Sequence, residues 1–262
     1  MPRVRGCTRR AAETVIASGR TARSRSVRLE PGTASHTGRI RSSNQDSVGL
    51  VDGLYVVADG MGGHRGGEVA SAEAVAAVLA VFDRPDRAGL VAAVRSANRT
   101  ILEMTVTRPD LSGMGTTLCA LAVVNSASGD EVLAVANIGD SRVYRLAAGE
   151  LVQVSDDHSL VADLMRAGEL SAEEAAQHPQ RNILTRALGI EADPVIDSWE
   201  LEPVLGDRYL LCSDGLFNEL DDARLAEVLA AGSVQEAADR LVGEAVENGG
   251  HDNVTVLVVE VV

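Results

Sequence analysis

The sequence predicts an α+β domain in which antiparallel sheets are covered by helices. Three observations predict it. Short apolar runs of strand character arrive in neighbouring pairs, and amphipathic helical stretches also arrive in pairs. No regular strand–helix–strand alternation, the pattern that builds a parallel sheet, links them. The core must be made of Ala, Val and Leu, because 45% of the 262 residues are hydrophobic but only 2% are aromatic.

Residues 1–29 mix Arg, Ser, Thr and Ala without a sustained apolar period and read as a basic, disordered tail. A docking arm and an inert leader both fit it. The ordered domain, residues 30–262, begins near Pro31. Apolar runs at 47–51 and 54–58 flank Asp52-Gly53, a residue pair favoured in two-residue hairpin turns. Counting outward with Val51 facing Leu54 puts Asp46 opposite Asp59. Directly opposed residues project from one face with Cβ atoms roughly 5 Å apart. Two carboxylates so placed repel unless a cation lies between them, and Mg²⁺ and Mn²⁺ prefer oxygen donors.

A helix over 66–82 follows, with Val69, Ala72, Ala76, Leu79 and Phe82 as its predicted core face. A second helix spans 86–105 after Pro85. Strands are predicted at 113–124, 131–138 and 142–146, with Gly139-Asp140-Ser141 as the turn between the last two, and 151–154 is extended. Residues 158–177 read as helical and 181–188 less sharply so. The stretch of about 160–184 is polar, carries Pro179 and reads as a protruding lobe. Strands resume at 198–201 and 208–213, helices at 222–231 and 234–247, and a strand at 253–262 closes the chain.

Charge narrows the classes of function. The formal net charge is −14, yet residues 1–29 carry eight arginines against Glu13 alone, a net of +7 that leaves −21 on the remainder. So acidic a body excludes nucleic acid as the expected partner. All 24 basic residues are arginine. Three cysteines, Cys7, Cys119 and Cys212, without a CxxC spacing argue against a disulfide framework or a zinc site and fit a reducing cytoplasm. No run of about 18 apolar residues predicts a membrane span. The arginine-rich start lacks the apolar run of about 7–15 residues that a secretory signal needs.

Four aspartates stand where a predicted strand meets a loop: Asp59, Asp140, Asp214 and Asp252. Functional groups on a rigid scaffold are often placed at such junctions. Asp-Gly and Asp-Asn are also ordinary turn dipeptides. Asp52-Gly53 is read as a turn and nothing more.

Six strings occur in order: Arg41-x-x-Asn44-Gln45-Asp46, Ala58-Asp59-Gly60-Met61-Gly62-Gly63-His64, Gly115-Thr116-Thr117, Ile138-Gly139-Asp140-Ser141-Arg142, Ser213-Asp214-Gly215 and Asp252-Asn253. Over about residues 33–262 the set resembles the bacterial branch of the PP2C (PPM) metal-dependent serine/threonine protein phosphatases. The resemblance implies a four-layer α-β-β-α sandwich with a centre for two Mn²⁺ or Mg²⁺ ions at one end. It implies that Asp46, Asp59 and the Gly60 carbonyl hold metal on one side, with Asp214 and Asp252 on the other. Asp140 then contributes to a third, weaker ion, Arg41 receives the substrate phosphate, and residues 160–184 form a flap.

The reaction so implied is hydrolysis of phosphoserine and phosphothreonine in proteins by a metal-bridged hydroxide, opposing a bacterial Ser/Thr kinase, in a cytoplasmic monomer. Animal members carry histidine where this chain has Met61, so His64 becomes the candidate proton donor, with a loop histidine as its other reading. His158 reads as structural. A catalytically dead scaffold and a phosphatase narrowed to an anti-anti-sigma-type regulator are the competing readings. The retained aspartates argue against the scaffold.

Overall fold

The computed structural model describes residues 26–62, 66–83 and 86–262. The chain begins with β1 (Leu29–His36), β2 (Asp46–Val51) and β3 (Leu54–Met61), followed by α1 (Gly66–Val81) and α2 (Arg87–Thr107). Next come β4 (Gly115–Thr116), β5 (Leu118–Asn125), β6 (Glu131–Ile138), β7 (Arg142–Ala147) and β8 (Glu150–Gln153). The short helices α3 (Leu160–Arg166) and α4 (Ala172–Ala176) precede β9 (Asp197–Leu201) and β10 (Arg208–Cys212). A single turn of helix, α5 (Asp214–Phe217), leads to α6 (Asp222–Leu229), α7 (Val234–Asn248) and β11 (Val254–Val261).

The strands form two antiparallel sheets. One has the order β1-β11-β10-β7-β8, the other β2-β3-β5-β6-β9 with β4 attached to β3. Their inner faces meet in a core that includes Tyr55, Val57, Leu121, Val135, Leu211 and Leu257. The outer face of one sheet is covered by α1 and α2 through Val56, Ala74, Val78, Leu90 and Ile101. The outer face of the other is covered by α6 and α7 through Leu210, Leu225, Leu241 and Val256. The architecture is the expected α-β-β-α sandwich. Apolar residues on both sides of the central strands β3, β5, β6, β10 and β11 leave those strands no face for water, so two helix layers are needed to finish the burial.

The hairpin register is as predicted. Val51 pairs with Leu54 across the turn and Asp46 pairs with Asp59. Gly53 takes φ +74°, a conformation that glycine adopts without strain.

Several expectations need correction. The first strand starts at Leu29, two residues before Pro31, and Val27 already donates its N–H to Glu131 at 2.5 Å. A strand containing Pro31 and Gly32 reads poorly in sequence, and it is tolerated here because β1 is a sheet edge. The rest of the proposed tail, residues 1–25, lies outside the described residues.

The predicted core face of α1 holds in part: Val69, Leu79 and Phe82 pack against the core at its margin, but its centre lies elsewhere. Ala72 and Ala76 are exposed, while Gly67, Ala70, Ser71, Ala74, Val75 and Val78 are buried. Apolar residues surround this helix, so periodicity does not select a face. Close approach selects it instead, since a Cβ on Gly67 would lie 2.7 Å from the Gly60 backbone. The lobe is also less helical than expected. Residues 158–177 form two short helices separated by Gly168 at φ +74°, each capped by a serine, Ser159 or Ser171. Residues 181–188 are not helical. They are held by bridges from Leu184 to Ser159 and from Leu188 to Thr116.

Candidate metal centre and active site

All five candidate aspartates lie at one end of the sandwich. Asp46 opens β2 and Asp59 lies near the end of β3, while Asp140 follows β6, Asp214 follows β10 and Asp252 precedes β11. The two sheets bring their strand ends together, so that residues distant in sequence feel one another electrostatically. Burial pushes the Asp59 carboxyl well above its usual range, with Asp46, Asp214, Asp140 and Asp252 each adding repulsion. Asp46 is pushed up to about 7, chiefly by burial, against the pull of hydrogen bonds from Ser213 and Thr255. Asp140 rises to about 8, through burial and then the charge of Asp214. Asp214 rises to about 6, and comes within hydrogen-bonding reach of Asp59 from the opposite sheet.

Buried like charges of this kind are unstable unless protonated or matched by cations. Among the described residues, only Asp252 of the five has an ion-pair partner, Arg41, whose guanidinium is 2.6 Å away. Asp46 supplies a sharper indication. Its Oδ2 accepts the Ser213 hydroxyl at 2.7 Å, while its Oδ1 is buried with no partner. An orphaned carboxylate oxygen beside several other carboxylates is a ready ligand for a hard divalent ion. Among the described residues no three His, Cys, Asp or Glu side chains close on a single point. The carboxylates of Asp59, Asp140, Asp214 and Asp252 are spread around a cavity of about 620 Å³ that also includes Gly60 and Arg41 in its walls. Spread donors with room for water suit Mg²⁺ and Mn²⁺, which usually keep several waters.

Local structure explains each placement. Gly60 sits where β3 passes under α1, and a Cβ there would lie 2.0 Å from the Gly67 carbonyl oxygen. The Asp59 backbone is clamped on both sides. Its N–H donates to Thr117 Oγ1 at 2.9 Å, and its carbonyl accepts from Thr116 Oγ1 at 2.8 Å and from the Thr117 N–H at 2.9 Å. Thr117 Oγ1 also meets Ser141 Oγ at 2.7 Å, tying the Asp59 strand to the Asp140 turn. Gly139 takes φ +103° there, and a Cβ would lie 2.6 Å from the Thr117 side chain.

Arg41 rides on an exposed loop held from beneath by Asn253. Its Nδ2 donates to the carbonyls of Thr37 at 2.8 Å and Ser43 at 2.9 Å, and its Oδ1 accepts the Gln45 N–H at 2.8 Å. His158 is buried, as its structural reading requires. Its Nδ1 accepts the Gly139 N–H at 3.2 Å, its own N–H donates to the Gly139 carbonyl at 3.0 Å, and its Nε2 lies 2.9 Å from Asp197. The ring therefore braces the residue before Asp140. His64 lies outside the described residues.

Ser213, Thr117 and Asn253 stand in the six strings, but sequence reasoning gave them no role. The signal available was adjacency: two of them flank a candidate aspartate, and Thr117 neighbours the Gly115-Thr116 pair that meets β3.

A family profile described as protein phosphatase 2C matches residues 35–243. The chain belongs to the protein phosphatase 2C family. Among curated PP2C-type relatives it is 44% identical over 240 residues to the serine/threonine protein phosphatase PstP of Mycobacterium tuberculosis, covering 89% of this chain and 45% of that protein. The chain thus spans about half the length of PstP. It is 40% identical over 238 residues to the serine/threonine phosphatase stp of Listeria monocytogenes, covering 85% of this chain and 92% of that protein.

The crystal structure of M. tuberculosis PstP superposes with a TM-score of 0.81 at 42% identity, covering 90% of this chain and 99% of that one. A structure of the PstP catalytic domain in complex with two manganese ions gives 0.80 at 41% identity, with 90% and 99% covered. Among the described residues no helix is long and apolar enough to cross a membrane.

Proposed function

We propose that this PP2C chain is a Mn²⁺- or Mg²⁺-dependent phosphatase that hydrolyses phosphoserine and phosphothreonine in proteins, and that it opposes a Ser/Thr kinase. The observation that carries the proposal is the orphaned Asp46 Oδ1 within a cluster of five aspartates, beside Arg41, in a chain of this family.

Asp46, Asp59 and the Gly60 carbonyl would hold ions from one sheet, and Asp214 and Asp252 from the other. Asp140 would serve a third, weaker position. Divalent ions so held supply Lewis acidity toward phosphoryl oxygens and bring the pKa of water near neutrality. Arg41 supplies what a planar guanidinium does best, two parallel N–H donors matched to a phosphate. One arm of that fork, Nη2, donates to Asp252 Oδ2 at 2.6 Å, so the same charge that would bind phosphate also offsets the cluster. Thr116 and Thr117 fix the Asp59 backbone and Ser213 fixes one oxygen of Asp46, which would limit reorganisation during the reaction. The lobe of α3 and α4 lies beside the aspartates and would serve as a flap over the substrate.

The test is phosphate release from a phosphothreonine peptide with Mn²⁺ and then with excess EDTA. Release that EDTA abolishes is expected. A folded protein that releases no phosphate with any divalent ion contradicts the proposal and favours the scaffold reading.

A further inference from the structure

The cavity containing the aspartates has a second, apolar wall to which the chemistry above assigns nothing. Met61, Ile190 and Val195 line it. Ile190 and Val195 are 56% and 59% exposed. They are not side chains of a loose loop. Leu188 exchanges backbone hydrogen bonds with Thr116 at 2.9 and 3.1 Å, and the Gly189 N–H donates to Asn98 Oδ1 at 2.7 Å. Asn98 Nδ2 then holds the Glu191 carbonyl at 2.8 Å. Beyond Ile190, Pro194 and Ile196 are buried.

The wall is continuous with the metal centre. Met61 ends the strand that carries Asp59, and Thr116, which anchors Leu188, also holds the Asp59 carbonyl. Met61 Cε and Ile190 Cδ1 converge over Gly115, where a Cβ would lie 2.8 and 3.3 Å from them. Two exposed apolar side chains on a braced segment, facing the same cavity as Asp59, Asp140, Asp214 and Asp252, keep contact with water unless a ligand covers them.

We infer that Met61, Ile190 and Val195 form a specificity shelf that takes an apolar side chain close to the phosphorylated residue. This rests on the phosphatase reading above and narrows its substrate class to phosphoproteins with Leu, Ile, Val or Phe near the phosphosite. The occupant follows from continuity. A phosphoryl group held at the aspartates belongs to a polypeptide that must leave the cavity over one of its walls. A cavity of about 620 Å³ holds more than a phosphorylated side chain alone. The shelf offers dispersion and burial; a second cavity sharing Arg41, Asp140, Asp214 and Asp252 is of mixed character, with Val161, Met165 and Phe217 beside Asp157, Glu219 and His251.

The test assays the full chain with Mn²⁺ on p-nitrophenyl phosphate and on three phosphothreonine peptides that differ only in carrying Leu, Ser or Lys beside the phosphosite. The wild type should favour the Leu peptide over the Ser peptide by about tenfold in kcat/KM, mostly through KM. Ile190→Glu and Val195→Glu should each erase that ratio, and Ile190→Glu should shift preference toward the Lys peptide. Equal rates on the three peptides, or a Leu preference that survives both substitutions, overturn the shelf while hydrolysis of the small ester leaves the phosphatase reading standing. Failure to hydrolyse p-nitrophenyl phosphate with any divalent ion overturns both.

Discussion

Ser213 donates its hydroxyl to Asp46 Oδ2 at 2.7 Å across the gap between the two sheets, while Oδ1 of the same carboxylate has no partner. Ser213 Oγ also accepts the Thr255 N–H at 2.9 Å, so its orientation is set by β11. One oxygen is thereby pinned and the other presented. Ser213→Ala should leave the sandwich folded and weaken Mn²⁺ binding by about tenfold or more, since groups that orient ligands contribute on that scale. Calorimetric titration with MnCl₂ checks this. Unchanged affinity would remove Ser213 from the site.

Arg41 should act on substrate more than on chemistry. Its side chain is 54% exposed and its partner, Asp252, lies at the cavity rim. Arg41→Ala should raise KM for a phosphothreonine peptide by about tenfold or more with a smaller change in kcat, because it removes a phosphate contact. Steady-state kinetics decide the matter. A loss confined to kcat contradicts the assigned role.

His158 makes the fold sensitive to acid. Burial holds its imidazole below the usual histidine range, against the opposing pull of Asp197. The folded state therefore binds this proton less readily than the unfolded chain does. The stability so contributed is present above the unfolded pKa of about 6.5 and is lost as pH falls through that value toward the folded pKa. His158→Gln should flatten this part of the stability curve between about pH 7 and 5 in urea melts. It should also lower affinity for the weakest Mn²⁺ ion, because Gly139 loses its brace. A variant with an unaltered slope below pH 7 would show that His158 does not govern it.

Asp214→Asn separates metal binding from folding. It removes one negative charge from a crowded, half-buried cluster, so in EDTA the melting temperature should hold steady or rise. With Mn²⁺ the activity should fall by about two orders of magnitude or more, through loss of a metal ligand. A lower melting temperature in EDTA combined with wild-type activity would reverse the assignment.

The hairpin was legible because two kinds of signal agreed there. A period-two apolar pattern and an Asp-Gly turn together set a register, and the register placed Asp46 against Asp59. The meeting of Asp59 with Asp214 was not legible from pattern. It depends on how two separate sheets stack, which no local period records, and it came only through family resemblance. β1 escaped because Pro31 and Gly32 disguise an edge strand. The centre of the α1 face escaped because a helix rich in Ala and Val carries no phase of its own. Asn253 and Ser213 look like ordinary turn residues until their partners on other strands are seen. Ile190 and Val195 fall between the predicted elements, and only the folded chain shows them exposed beside the cavity.

The most direct measurement is the number of ions bound. Chelator-stripped protein should be titrated with MnCl₂ by calorimetry, alongside Asp140→Asn and Asp46→Asn. The wild type should take up two ions tightly and a third more weakly, Asp140→Asn should lose only the weak one, and Asp46→Asn should lose tight binding. A folded wild-type protein that binds fewer than two ions, or an Asp46→Asn variant that binds as the wild type does, would contradict the assignment of this cluster as a metal centre.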